Sequence, residues 1–166
     1  GIAALKDVAG KRFAFSDPAS IAGHLFPSEA LKLAGIDPDK GIVPVYAGTH
    51  AAAFEAIRIH KVDAGELGSQ QIASATRAGT YKPSDTVELW RSGPIPNDPI
   101  TIRGTLPAGF RARATKVLQT LDFASALTPD EIRIAGGARW VPEQDKAYDG
   151  IRDLVRTLRL DLEHLE

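Results

Sequence analysis

Lys11-Arg12-Phe13-Ala14-Phe15-Ser16-Asp17-Pro18-Ala19-Ser20-Ile21-Ala22-Gly23 runs from a strand pattern through a turn into a helical pattern. Arg12 to Phe15 reads as a short strand, and a helical stretch runs from about Ser20 to Ala34. Gly35 stops that helix and Asp37-Pro38-Asp39 turns the chain. The alternation then continues. Ile42 to Tyr46, Val62-Asp63-Ala64-Gly65 and Val87 to Trp90 are further strand candidates, with helical stretches at about His50 to His60 and Ser69 to Ala78. Strands alternating with helices of about 10–15 residues predict βαβ units and a mainly parallel sheet.

After Pro99 the character changes. Ile100-Thr101-Ile102 reads as one more strand, and helices alone follow. Phe110, Ala114, Val117, Leu118 and Leu121 share one face of a helix opening at Pro107. Thr128 caps a short helix with Pro129 in its first turn. Ile151, Leu154, Val155, Leu158 and Leu162 form an apolar stripe near the end. The helices after Pro107 are therefore expected to show apolar faces meant to cover something else.

Composition narrows the function classes. The chain has 166 residues, 43% hydrophobic and 25% charged, with 20 basic against 21 acidic residues. The charges nearly cancel and form no long run, so the electrostatic footprint of a nucleic-acid binder is missing. No apolar stretch approaches the roughly 20 residues that span a bilayer. There is no cysteine, which excludes a disulfide framework and thiolate metal sites. There is no methionine either, so Gly1 is expected to follow something removed, whether a signal peptide, a tag or a whole upstream segment.

Three candidate sites fall at successive strand-to-helix turns. At Ser16 to Gly23, free N–H groups of a helix start plus the Ser20 hydroxyl make an anion site, although Ser20 could simply cap the helix. At Gly48-Thr49-His50, a histidine faces the carboxyl ends of the strands, the edge where open α/β sheets bind ligands. Gly68-Ser69-Gln70 is the third, and an ordinary N-cap is its plainer reading. A fourth stretch, Pro94-Ile95-Pro96-Asn97-Asp98-Pro99-Ile100, is extended by its prolines and carries one acid, Asp98.

Taken together, these stretches resemble the phosphate, phosphite and phosphonate-binding proteins of ABC importers. Lys11 to Ser20 is similar to that family's GKRFAFGDPxST, Ala47-Gly48-Thr49-His50 to its TGSH, Lys61-Val62-Asp63-Ala64 to its GKVDA, and Ile95 to Ile100 to its IPNDPI. Trp140-Val141-Pro142 and Tyr148-Asp149-Gly150-Ile151-Arg152 resemble its C-terminal pattern. The resemblance covers nearly the whole chain, with matching spacing.

The resemblance implies a type-two periplasmic binding protein fold, α/β, with a three-layer lobe around a mostly parallel sheet. Residues 1–98 would be the second lobe. Residues 99–166 would be the crossover strand and C-terminal helices of a first lobe that mostly precedes Gly1. The family's oxyanion site is a Ser-Thr-Ser at a helix start with a histidine from the next turn. Ser20 and His50 match, while Ile21 and Ala22 replace two hydroxyl residues and leave backbone N–H groups. Thr49 precedes the histidine. In aminophosphonate binders a Glu and an Asp hold the ammonium group. The Asp corresponds to Asp98 and the Glu position to Gln70, which favours a ligand without an amine.

The resemblance further implies a small phosphorus oxyanion as ligand and an ABC permease as partner. It implies an extracytoplasmic location, with any membrane attachment through the permease or a lipid anchor outside this chain. No cofactor, metal or nucleic acid is expected. Two other readings exist: a sensor domain using the same site, and a hydrolase built on Ser20, His50 and Asp98. The second lacks the Gly-x-Ser-x-Gly elbow and is disfavoured.

Overall fold

Phe13 and Phe15 alternate with Ala14 along the central strand, so the strand presents two large rings to one face and a small side chain to the other. Everything in the first part of the chain is arranged around that asymmetry. The computed structural model describes residues 1–134 and 137–160. Strand β1 (Arg12–Phe15) pairs in parallel with β2 (Val43–Tyr46) through Arg12↔Val43 to Phe15↔Tyr46. On its other side it pairs in parallel with β3 (Ala64–Gly65) through Phe13↔Ala64 and Ala14↔Gly65. The order is therefore β2-β1-β3. The chain leaves β1 toward one side and returns past it to the other, which makes the carboxyl end of β1 a topological switch point.

Helices cover both faces. Helix α1 (Phe26–Leu33) is preceded by a π-helical turn, Ile21–Leu25. Its Leu31 packs with Phe13, Phe15, Val8, Ile36 and Ile42. Leu31 and Phe15 are fully buried, and burial of such side chains stabilises by about 1.5–3 kcal/mol each. Helix α2 (His50–Arg58) lies on the opposite face, where Ala53 and Ala56 meet Ala14 and Val62. Small residues there bring α2 close to the sheet. A Cβ on Gly65 would stand 2.9 Å from the Ala14 Cβ and 3.0 Å from the Ile57 Cδ1. Helix α3 (Ser69–Arg77) follows β3. The expected parallel sheet with helices on both faces is thus present, on three strands.

The chain divides into two units, one comprising Gly1–Ile95 with the residues from Gly150 onward and the other Pro96–Asp149. In the first unit the C-terminal helix α6 (Asp149–Leu158) buries Leu154 completely. Lys32 of α1 donates from Nζ to the Thr157 carbonyl at 3.0 Å, supplying a cation to the last turn of α6. Of the apolar stripe expected near the end, Leu154 is buried, Ile151, Val155 and Leu158 are half-buried, and the last member, Leu162, lies outside the described residues.

The second unit holds α4 (Ala108–Thr120) and α5 (Pro129–Ile134). Thr128 and Glu131 form a reciprocal capping box at α5: the Thr128 N–H donates to the Glu131 carboxylate at 2.8 Å, and the Glu131 N–H to Thr128 Oγ1 at 3.3 Å. Phe123 and Trp140 meet edge to face with centroids 6.0 Å apart. Phe110 and Val117 of α4, and Leu121 just past it, are exposed, as the sequence pattern led one to expect.

Two expected strands do not form. Val87 to Trp90 and Ile100 to Ile102 have no ladder partner. A β-branched or aromatic run becomes a strand only where an edge offers free backbone groups. Here β3 is only two residues long, and Pro94, Pro96 and Pro99 remove donors from the following chain.

Candidate functional site

Backbone hydrogen bonds at the carboxyl ends of the three strands draw three loops together. Ser16, directly after β1, donates its N–H to the Gly23 carbonyl at 3.1 Å and accepts from Gly48 N–H at 2.7 Å. Ala47 N–H donates to Phe15 at 2.9 Å, and Glu66 N–H to Ala14 at 2.9 Å. Gly48 takes φ +87°, a left-handed conformation that a side chain would strain, and so turns the chain from β2 into α2.

Ser20 ends the loop after β1 and caps the π-helical turn, its Oγ accepting from Gly23 N–H at 3.0 Å. Its carbonyl accepts from both His24 and Leu25 N–H at 3.0 Å. The N–H groups of Ile21 and Ala22 make no hydrogen bond among the described residues. Two free donors and the positive end of a helix dipole are what an anion needs. The loop is held from behind by His24. Its Nδ1–H donates to the Pro18 carbonyl at 2.6 Å, and its Nε2 accepts from the Tyr46 hydroxyl at 3.1 Å. Burial pushes the Tyr46 phenol up, with Asp39 adding to the effect.

His50 is the first residue of α2, behind the Thr49 cap whose Oγ1 accepts from Ala52 N–H at 3.1 Å. Its Nδ1 lies 2.7 Å from Glu66 Oε1. The carboxylate can only accept when ionised, so Nδ1 carries the hydrogen and Nε2 is the nitrogen left over. Nε2 is bonded to no described residue. The ring reaches the Ser20 turn from the other side. A Cβ built on Gly23 would be 2.9 Å from His50 Cε1 and 1.8 Å from Ser16 Oγ. Glu66, only 7% exposed, sits one residue past β3. Desolvation pushes its carboxyl above the ordinary range, opposed by the attraction of His50 and the hydrogen bond to it.

Of the residues singled out in the sequence, Ser20, Ile21, Ala22, Thr49 and His50 belong to this cluster of loops. Gln70 is exposed in the first turn of α3, and it is the neighbouring Gln71 that reaches back toward Gly68. Asp98 is exposed in the irregular stretch that opens the second unit. Ser16 was given no role of its own within the first candidate stretch, and Glu66 was not singled out. Ser16 is 2% exposed with an Oγ that has no partner among the described residues, and Glu66 is the acid that holds His50. Both stand immediately after a strand, which is the signal that would have found them.

The geometry does not make a nucleophile of Ser20. Its hydroxyl oxygen is occupied by Gly23 N–H, and the acid bonded to His50 is Glu66. Among the described residues no three His, Asp or Glu side chains converge on a metal position, and no helix is long and apolar enough to cross a membrane. A groove of about 460 Å³ lies elsewhere, between α1 and α6, lined by His24, Ser28, Lys32, Asp37, Leu158 and neighbours.

Known proteins resemble this chain in sequence and in fold. The sequence pattern of a family described as the periplasmic substrate-binding protein of phosphonate ABC transporters fits residues 1–148. The chain is 29% identical over 164 residues to the phosphate-import protein PhnD of Mycolicibacterium smegmatis, covering 89% of this chain and 51% of that protein. Among solved structures, PhnD1 of Prochlorococcus marinus in complex with methylphosphonate superposes with a TM-score of 0.66. The identity is 22%, and the match covers 93% of this chain and 59% of that one. XAC2383 of Xanthomonas citri, bound to a chloride ion, gives a TM-score of 0.62 at 18% identity, covering 95% of this chain and 61% of that one. The chain spans about half to three fifths of the length of these relatives. The two structures establish a shared fold. The family is one of transport binding proteins rather than enzymes. This chain, by the match over residues 1–148, belongs to the family of periplasmic substrate-binding proteins of phosphonate ABC transporters.

Proposed function

We propose that the intact protein is the extracytoplasmic solute-binding component of an ABC importer, and that this chain holds a small phosphorus oxyanion at the Ser20 turn. The observation that carries the reading is the meeting of two donor sources: the free Ile21 and Ala22 N–H groups of one turn and the His50 ring of the next. The anion accepts from these N–H groups, from the Ser20 hydroxyl hydrogen and from His50 Nε2 when that nitrogen is protonated. Ile21 and Ala22 contribute backbone only, so the site has fewer hydroxyl donors than a Ser-Thr-Ser turn. Gln70 in place of an acid favours a ligand with no amine. Residues 1–98 act as the second lobe of a two-lobed binding protein, and residues 99–166 supply crossover and C-terminal helices of the other. Asp98 takes part by accepting a P–OH hydrogen. The permease is the protein partner. Phosphate in the name of one relative and methylphosphonate in the structure of another support the ligand class.

Calorimetric titration of the intact protein with phosphate, phosphite and methylphosphonate tests this. Ser20→Ala and His50→Ala should each weaken binding by about tenfold or more, since a hydrogen bond to a charged group contributes roughly 1.5–3 kcal/mol. Asp98→Asn should change the preference among protonation states of the ligand. Unchanged affinity in the Ser20→Ala/His50→Ala double variant would show that the anion is held elsewhere.

A further inference from the structure

We propose that Glu66 is the positioning residue of the anion site, holding His50 through Nδ1 so that Nε2–H meets the oxyanion, and that the His50–Glu66 pair takes up one proton as a fully ionised oxyanion binds. This rests on the reading of Ser20 and His50 given above.

The argument starts from a buried acid. A carboxylate 7% exposed needs a compensating partner, and the hydrogen bond Glu66 makes to a described side chain is the 2.7 Å bond from His50 Nδ1. The Glu66 backbone is itself fixed, by its N–H on Ala14. Because Nδ1–H is spent on Glu66, a neutral His50 presents a lone pair at Nε2. A lone pair repels an oxyanion, whereas the imidazolium offers it an N–H. Binding a fully ionised oxyanion therefore requires one more proton on the pair, taken from solvent. If the ligand instead arrives as P–OH, the same proton bridges Nε2 and the oxygen. In either case the complex holds one proton more than the free protein and the ionised ligand did. Glu66 then serves as counter-charge to the imidazolium, as carboxylates do behind metal-bound histidines. Burial, which pushes the Glu66 carboxyl up, works in the same direction, since it disfavours a pair with net negative charge.

The neighbouring charges do not compete for this role. On the β1–α1 side, Asp17 accepts from Ala19 N–H, and both His24 nitrogens are engaged by Pro18 and Tyr46. On α2 itself, Glu55 pairs with Arg58 toward the far end. Arg12 and Asp63 pair at the opposite ends of their strands, and Arg77 stands at the last residue of α3. Among the described charges, His50 is the one that acts on Glu66.

The test is calorimetry of methylphosphonate binding to the intact protein near pH 8, in two buffers of different ionisation enthalpy. Net uptake approaching one proton per bound ligand is expected, and zero uptake overturns the proposal. Uptake that persists undiminished in His50→Ala at saturating ligand belongs to the ligand and also overturns it. Glu66→Gln keeps a hydrogen-bond acceptor and removes the charge. It should weaken binding about tenfold near pH 8 and clearly less near pH 6, where solution supplies the extra proton more readily. An equal loss at both pH values would mean a merely structural role. Imidazole ¹⁵N shifts of His50 in the ligand-free wild type give a readout independent of any variant: Nδ1–H is expected, and an Nε2–H tautomer refutes the positioning. If instead methylphosphonate binds Ser20→Ala/His50→Ala unchanged, the site assignment has failed before this proposal is reached.

Discussion

Gly23 is buried in the turn that opens α1, and the space its missing Cβ would take is already filled. A Cβ there would lie 1.8 Å from Ser16 Oγ, 2.8 Å from Ser16 Cβ and 2.9 Å from His50 Cε1. Rotation of the Ser16 side chain relieves the first contact only. Ser16 Cβ moves with β1, whose end is tied to both Gly23 and Gly48, and the His50 ring is held by Glu66. Gly23→Ala therefore forces backbone displacement, at the upper end of the 1–3 kcal/mol typical of overpacking. The better helix propensity of alanine offsets up to about 1 kcal/mol of that. The net expectation is a loss of about 2 kcal/mol, or a Tm lowered by about 4–8 °C at this chain length. Urea denaturation followed by circular dichroism measures it, and Ser16→Gly in the same chain should recover at least half of the loss. A Gly23→Ala protein within about 0.5 kcal/mol of wild type, or strictly additive single and double variants, would refute the packing argument.

Two further outcomes follow from buried groups. The Glu66 carboxyl titrates above its ordinary 4.5 in the folded protein. The folded state thus binds more protons than the unfolded chain in the window above 4.5, and the associated stability is complete below 4.5 and lost as pH rises through the raised value. In Glu66→Gln the drop in urea stability between pH 4.5 and pH 7.5 should accordingly be smaller than in wild type, and an equal or larger drop contradicts the assignment. Leu154 is fully buried in α6. Leu154→Ala should cost about 2–5 kcal/mol, with amide exchange quickening first in α6 and beside Lys32. A surface-like change under about 0.5 kcal/mol would show that α6 is not part of the first unit's core.

The features legible in the sequence are local. Arg12 to Phe15 makes a strand, Ser20 caps the turn after it, Gly48 reverses the chain before α2, and Thr128 caps α5, because each depends on neighbours within a few residues. Periodicity also located α2, α3 and α4 to within about two residues. Features that need a partner distant in the chain emerge only in the folded molecule. Val87 to Trp90 has the composition of a strand and pairs with none of the three strands. The stripes of α4 and α6 look alike in sequence, yet Phe110 and Val117 are exposed while Leu154 is sealed. Gln70 drew notice by its spacing, but the acid that meets His50 is Glu66, 16 residues along the chain and on the next strand end. The sequence places Glu66 just past a strand, which marks it as a candidate, but not as buried or paired with His50. Its environment exists only once β1 has drawn β2 and β3 alongside, since desolvation and a 2.7 Å hydrogen bond are properties of neighbours in space.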